Sequence, residues 1–346
     1  MNPGAAALRA HAPPGAGYAA PWWLPSGHAQ TILPALLGAA PSIRYTRERW
    51  DSLGADGLPD GDFVDIDWLA DDRGGARWIE GAPLVVMFHG LEGSSRSHYA
   101  RALMHAVRAR GWNGCVPHFR GCSGEINRLP RAYHSGDSAE VAWILGRIAA
   151  TRKPRALYAA GISLGGNALI KWAGEQGAAA AGIARAIAAI SSPLDLAAAG
   201  GALGRGFNLV YTRMFLETLK KKSLVKLRRF PGIFDHERMH RSRNLYEFDN
   251  VVTAPLHGFR DTDDYWSRAS AKPWMKRVAI PALALNAKND PFMPAAALPA
   301  ARDVSAAVFL EQPDQGGHVG FAGDGMPLIA IDWLPRRLLH FFESHP

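Results

Sequence analysis

The sequence predicts an α/β domain: a mostly parallel central sheet flanked by helices, with a helical cap inserted between two strands. Three observations predict it. From about residue 83 onward, apolar runs of strand length alternate with longer helical patterns, the signature of a parallel sheet covered by helices. Residues 193–276 break that alternation, being helix-like, basic and aromatic with no strand-length apolar run. The length, 346 residues, suits one large domain with a cap, and two compact units at most.

The strands expected in order are residues 83–88, 114–119, 156–162, 186–191, 282–286 and 307–312. Two earlier segments, 43–50 and 62–69, alternate polar and apolar residues and suit an antiparallel edge with one solvated face. Helices fit residues 95–110, 135–151, 163–176 and 327–343. The resulting organisation is a flexible arm over residues 1–20, a core over 21–192 and 277–346, and a cap over 193–276. Ligands of open α/β sheets bind beyond the carboxyl ends of the strands, so an insertion there is expected to act as a lid.

Hydrophobic residues make up 48% and charged residues 20% of the chain, an ordinary balance for a protein with a sizeable core and one that excludes global disorder. Two cysteines, Cys115 and Cys122, are too few for a disulfide framework and read as free thiols in a reducing compartment. Neither a signal-peptide core nor an uncharged apolar run of spanning length is present, so a cytoplasmic location is expected. The net charge of +8 is mostly dispersed, and nucleic acid is not expected as a partner. Lys220, Lys221, Lys222, Lys226, Arg228 and Arg229 alternate with Leu219, Leu224, Val225, Leu227 and Phe230, which fits an amphipathic helix with a solvated basic face or peripheral contact with anionic membrane.

Gly161-Ile162-Ser163-Leu164-Gly165-Gly166 matches G-x-S-x-G at the end of an apolar strand and the start of a helical pattern. Acyl transfer needs a hydroxyl on a sharp strand-to-helix turn, and flanking glycines permit that backbone; the competing reading of Ser163 is a helix N-cap. His89-Gly90-Leu91-Glu92-Gly93 follows an earlier strand, and its amides can face an oxyanion; the expected donors are the N–H groups of Leu91 and Leu164, while His89 reads as structural. A serine hydroxyl needs a base and the base an orienting acid, in this fold in the order Ser, acid, His. Among 13 histidines, His318 in Gly316-Gly317-His318-Val319-Gly320 follows the last strand, whereas His340 and His345 lie on or after the final helix and His257 lies in the cap. Asp290 in Lys288-Asn289-Asp290-Pro291 ends the preceding strand, with Asp195 as rival one strand earlier. No zinc, calcium or dinucleotide motif occurs, so no metal and no cofactor is expected.

Further segments complete a specific set: Trp23-Leu24-Pro25-Ser26-Gly27-His28-Ala29-Gln30-Thr31-Ile32, Phe119-Arg120-Gly121-Cys122-Ser123-Gly124-Glu125-Ile126-Asn127 and Tyr265-Trp266-Ser267-Arg268-Ala269-Ser270. With the motifs above, the chain from about Trp22 onward resembles the YheT-like branch of the α/β-hydrolase superfamily. That resemblance implies a carboxylic ester hydrolase with Ser163, Asp290 and His318 as its triad and a helical cap between strands. The role of the segment from Gly27 to Thr31 stays open between an anchor for the N-terminal arm and a contact at the substrate mouth.

The expected function is therefore hydrolysis of short- to medium-chain acyl esters through an acyl-enzyme, with a small-molecule ester as partner. An alcohol acyltransferase, a monoacylglycerol-type lipase and a non-catalytic binding module on the same fold are the alternatives. Phe207, Tyr211, Phe215 and Phe230 suit an apolar acyl pocket or ordinary packing of the cap.

Overall fold

The computed structural model describes residues 17–53, 58–323 and 329–346. Eight strands form one sheet: β1 (Tyr45–Leu53), β2 (Pro59–Leu69), β3 (Leu84–Phe88), β4 (Asn113–Pro117), β5 (Leu157–Ile162), β6 (Ala186–Ile190), β7 (Ala282–Leu285) and β8 (Val308–Glu311), in the order β1-β2-β4-β3-β5-β6-β7-β8. The pairs β1/β2 and β2/β4 are antiparallel and the rest are parallel. The predicted strands and the predicted parallel sheet are all present.

Alternation along the strands decides the two faces. Leu84, Val86 and Phe88 of β3 point into one apolar layer, where α3 (Ser138–Arg152) and α4 (Leu164–Gln176) supply Val141, Ile144, Leu169 and Trp172. Val85 and Met87 point into the other layer, against Leu103 and Met104 of α2 (His98–Ala109) and Leu338, Leu339 and Phe342 of α11 (Trp333–Glu343). With both faces covered, the strands read as continuous apolar runs rather than alternating ones. Each such fully buried side chain contributes about 1.5–3 kcal/mol. The helix predicted from residue 327 starts only at Trp333: Ile329 and Ala330 make isolated bridges to Gly38 and Gly323 instead, and residue 327 itself lies outside the described residues.

The polar alternation of residues 62–69 misled in one respect. The strand β2 is internal, with β1 at the edge, and Asp62, Asp65 and Asp67 are buried rather than solvated. Their charges are met by Arg120, Arg49 and Arg47, and Asp67 also accepts from His118 and Ser95. Burial alone would raise the Asp67 pKa, but these donors outweigh it and hold the carboxyl well below the usual carboxylate range.

Between β6 and β7 every regular element is helical: α5 (Leu196–Leu203), α6 (Leu209–Arg229), α7 (His236–Arg241), α8 (Leu245–Phe248), a π turn (Asp249–Thr253), α9 (Ala254–Leu256) and α10 (Thr262–Ala269) lead the series. The basic face expected on α6 is thinner than its sequence implies. Lys222 and Lys226 turn inward: Lys222 Nζ donates to Glu92 Oε1 at 2.8 Å, and Lys226 Nζ to Asn127 Oδ1 at 2.7 Å and to the carbonyls of Leu129 and Arg131. Lys221, Arg228 and Arg229 remain exposed. No helix among the described residues is long and apolar enough to cross a membrane.

The arm expected over residues 1–20 falls mostly outside the described residues. At its described end Tyr18 is buried; its hydroxyl donates to the Ala322 carbonyl at 2.9 Å, and its ring meets Phe321 and Trp333 edge-on. A short helix that the sequence reading did not identify, α1 (Gly27–Leu37), follows, N-capped by Ser26.

Candidate active site

The strand order reverses between β3 and β5: the chain steps from β3 outward to β4 and returns on the other side of β3 to β5. The loops leaving those two strands therefore diverge and open a crevice at their carboxyl ends, the position where such sheets bind ligands. Ser163 leaves β5 in that crevice. Its backbone is in a strained left-handed conformation (φ 52°, ψ −119°), and its amide donates to the Ile190 carbonyl at 2.8 Å. The turn closes only because its neighbours lack side chains. A Cβ on Gly161 would stand 2.5 Å from the Gly165 carbonyl oxygen, one on Gly165 2.5 Å from the Phe88 carbonyl oxygen, and one on Gly166 would collide with the Ser192 hydroxyl. Ser163 is thus no ordinary N-cap: its side chain bonds no amide of α4.

His318 reaches the serine from the far end of the chain, its Nε2 lying 3.0 Å from Ser163 Oγ and its Nδ1 2.9 Å from Asp290 Oδ2. The carboxylate selects the tautomer with the proton on Nδ1, which leaves Nε2 free to accept the serine proton. Asp290 is buried and held in turn, its Oδ1 accepting from the Phe292 amide at 2.8 Å. The Phe292 ring lies over the imidazole, centroids 4.0 Å apart, and is itself backed by Tyr211. The rival acid, Asp195, is placed elsewhere: it caps α5 by accepting from the Ala198 amide. His257 bonds the Thr253 carbonyl within the cap.

The loop after β3 lies beside Ser163, so close that a Cβ on Gly90 would stand 3.2 Å from the serine Cβ. His89, fully buried, sets the loop's path, Nδ1 donating to the Gly90 carbonyl at 2.8 Å and Nε2 accepting from the Phe119 amide at 3.1 Å. Burial, with His118 close by, pushes its pKa down to about 3, so it stays neutral, in keeping with the structural role expected from its sequence position. Leu91 and Leu164 both line the cavity that holds Ser163 and His318. The Leu91 amide donates to no acceptor among the described residues, and the Leu164 amide opens a helix, where no carbonyl of the preceding turn is available. Glu92, next to Leu91, is fixed in a left-handed conformation (φ 56°) by the Tyr133 hydroxyl, which accepts from its amide at 2.8 Å, and by Lys222 of α6.

Residues whose role the sequence left open hold this assembly in place. Gln30, fully buried on α1, accepts through Oε1 from Asn289 Nδ2 at 2.9 Å and from the Gly316 amide at 2.7 Å, tying the loop of Asp290 to the loop of His318. Thr31 Oγ1 accepts from the His318 amide at 2.8 Å and donates to the Gly27 carbonyl at 2.7 Å. Ser191 Oγ accepts from the Val319 amide at 3.0 Å. Close packing makes the joint rigid, since a Cβ on Gly27 would strike the Asn289 carbonyl and one on Gly320 the Gln30 carbonyl. The segment from Gly27 to Thr31 is therefore a clamp on the two loops, and His28 at its start also meets the cap, its Nδ1 lying 3.1 Å from the Tyr211 hydroxyl.

The cavity runs from Ser163 and His318 on the sheet side to the cap, with about 850 Å³ of atom-free space including its mouth. Its wall is mostly apolar, with Leu196, Leu203, Leu219 and Met293 among the residues that form it. Of the four aromatic cap residues singled out in the sequence, only Phe215 lines it. Phe207 and Tyr211 gather around His28, and Phe230 caps the end of α6. Among the described residues no cluster of metal-ligating side chains occurs.

Comparison with known proteins agrees with this architecture. Residues 83–324 match the alpha/beta hydrolase fold family. The chain is 38% identical over 320 residues to the Escherichia coli (strain K12) protein named "Putative esterase YheT", covering 92% of this chain and 90% of that one. It is 27% identical over 304 residues to Homo sapiens phospholipase ABHD3, covering 86% and 72% of the two chains. Among solved structures, the Pyrococcus furiosus esterase Pf2001 superposes with a TM-score of 0.53 at 13% identity, over 90% of this chain and 98% of that one. The chain belongs to the α/β-hydrolase superfamily, in its YheT-like branch.

Proposed function

We propose that this chain is a serine carboxylic ester hydrolase that turns over acyl esters through an acyl-enzyme on Ser163. The observation that carries the reading is the continuous relay from Ser163 Oγ to His318 Nε2 (3.0 Å) and from His318 Nδ1 to Asp290 (2.9 Å), opening into a mostly apolar cavity. In the first step His318 takes the hydroxyl proton as Ser163 Oγ bonds to the ester carbonyl carbon, and the imidazolium then gives that proton to the departing alkoxide. The oxyanion is met by the amides of Leu91 and Leu164, each worth about 3–4 kcal/mol of transition-state stabilisation. Water, deprotonated by the same histidine, then bonds to the acyl carbon, the bond to Ser163 Oγ breaks as the imidazolium returns the proton to that oxygen, and the carboxylic acid is released.

The apolar wall, together with relatives named "Putative esterase YheT" and "Phospholipase ABHD3", supports acyl esters as the substrate class, and within it we propose short- to medium-chain acyl groups. Hydrolysis of nitrophenyl esters from acetyl to long-chain acyl tests it. The reading expects turnover peaking at intermediate chain length and loss of at least about 10⁴-fold in Ser163→Ala. Equal turnover by that variant overturns it.

A further inference from the structure

Among the described residues, most carboxylates removed from water are paired with a lysine or arginine, and Asp290 is paired with His318. Asp62 and Glu140 face Arg120, Asp65 faces Arg49, Asp67 faces Arg47, Asp137 faces Arg131 and Glu92 faces Lys222. Such pairing is what physics requires, because an ionised carboxylate removed from water without a counter-charge is costly.

Asp249 breaks the pattern. It opens the π turn of the cap and lines the same cavity as Ser163 and His318. Its Oδ1 accepts from the Thr253 hydroxyl at 2.6 Å and its Oδ2 from the Trp266 indole N–H at 2.9 Å. Both donors are neutral, so they aim the carboxylate without cancelling its charge, and each oxygen keeps a free lone pair. Among the described residues no lysine, arginine or histidine forms an ion pair with it, and the cavity wall includes two histidines, His134 and His318, but no lysine or arginine. Burial pushes its pKa up to about 6, which leaves it mainly ionised at neutral pH. Phe248, Tyr265 and Trp266 stand around it in the same wall, and aromatic faces attract cations.

We propose that Asp249 is a substrate-binding residue for a cationic group, so that the esters this cavity takes best carry an ammonium at the end remote from the scissile carbonyl. The inference rests on Ser163 being the nucleophile. Because Ser163 belongs to the sheet side and Asp249 to the cap, one extended substrate spans the two, its ester at the serine and its cation at the cap. The cation supplies the counter-charge that the fold withholds.

The test uses matched ester pairs on the full chain. One pair is the nitrophenyl ester of heptanoic acid and its isostere in which the terminal methyl is an ammonium; a second pair places the same exchange on the alcohol. Wild-type kcat/KM is expected to favour the ammonium member of at least one pair by about tenfold or more, and Asp249→Asn to bring the two members within about twofold. A measurement needing no variant accompanies it: an alkylammonium should inhibit wild type competitively and more tightly than the alcohol of equal length. Equal or inverted preference in both pairs overturns the proposal, as does a preference that persists in Asp249→Asn. Turnover of neither member, with no fluorophosphonate labelling of Ser163, instead overturns the underlying assignment of the nucleophile.

Discussion

Replacing Thr31 by valine removes one oxygen and leaves the shape of the side chain nearly intact, yet it is predicted to slow the enzyme more than it unsettles the fold. That oxygen accepts the His318 amide at 2.8 Å and is the hydrogen bond that sets the histidine's backbone at the top of its loop. An amide left without its acceptor costs about 1–3 kcal/mol. At about 2.1 cal/mol/K of unfolding entropy per residue, the 346 residues give roughly 0.7 kcal/mol/K, so a loss of about 2 kcal/mol lowers Tm by only about 3 °C. Catalysis is more sensitive, since a misplacement of about 1 Å in a reacting group costs on the order of 10²-fold. The variant should therefore lose about 10- to 100-fold in kcat with a small change in KM, while Thr31→Ser, which keeps the oxygen, should stay within about threefold of wild type. Steady-state kinetics beside a thermal melt decide it. A valine variant that melts several degrees lower and keeps wild-type kcat would refute the claim that α1 positions the base.

Three further outcomes follow from the same geometry. Asp290→Asn should cut kcat by about 10⁴-fold by favouring the wrong imidazole tautomer, whereas Asp195→Ala should lose only about 1 kcal/mol of stability through its lost helix cap; ester hydrolysis and melting of the two variants separate these roles. Gly166→Ala should fold poorly or shift the serine turn, because the added Cβ runs into the Ser192 hydroxyl; a melt at least several degrees lower is the expected reading. The folded-state pKa of Asp67 is depressed by His118, Arg47 and Ser95 against the opposing effect of burial, so its contribution is complete above the unfolded carboxylate value near pH 4 and is lost as pH falls below it. Denaturant melts in steps from pH 6 down to pH 2 should show stability falling below about pH 4 in wild type, with a shallower fall in Asp67→Asn, which starts about 3 kcal/mol less stable.

Much of this arrangement is legible in the sequence because local and long-range signals coincide. Ser163 is marked by glycines that the turn physically requires, and Asp290 and His318 each lie in the loop that follows a strand recognisable from its apolar run. Gln30 and Thr31 carry no comparable mark. They lie on a short helix with a proline inside it, Pro34, and a weak apolar stripe, and their partners are more than 250 residues away, so no spacing within the chain reports the contact. Asp65 and Asp67 of β2 misled for a related reason: alternation reveals that they share a face, but whether that face meets water or the arginines of β1 depends on strand order, which only the assembled sheet fixes. The inward turn of Lys222 and Lys226 escaped notice likewise, because a long lysine side chain can lie along a helix face toward either solvent or a buried acceptor.

The most direct examination of the account is to catch the covalent intermediate. Wild-type protein mixed with an activated ester, quenched in acid within milliseconds and digested, should yield the peptide containing Ser163 heavier by one acyl group, and His318→Ala should yield it unmodified over the same interval. Rapid ester cleavage with that peptide never acylated, or with the acyl group found on another residue, would contradict it.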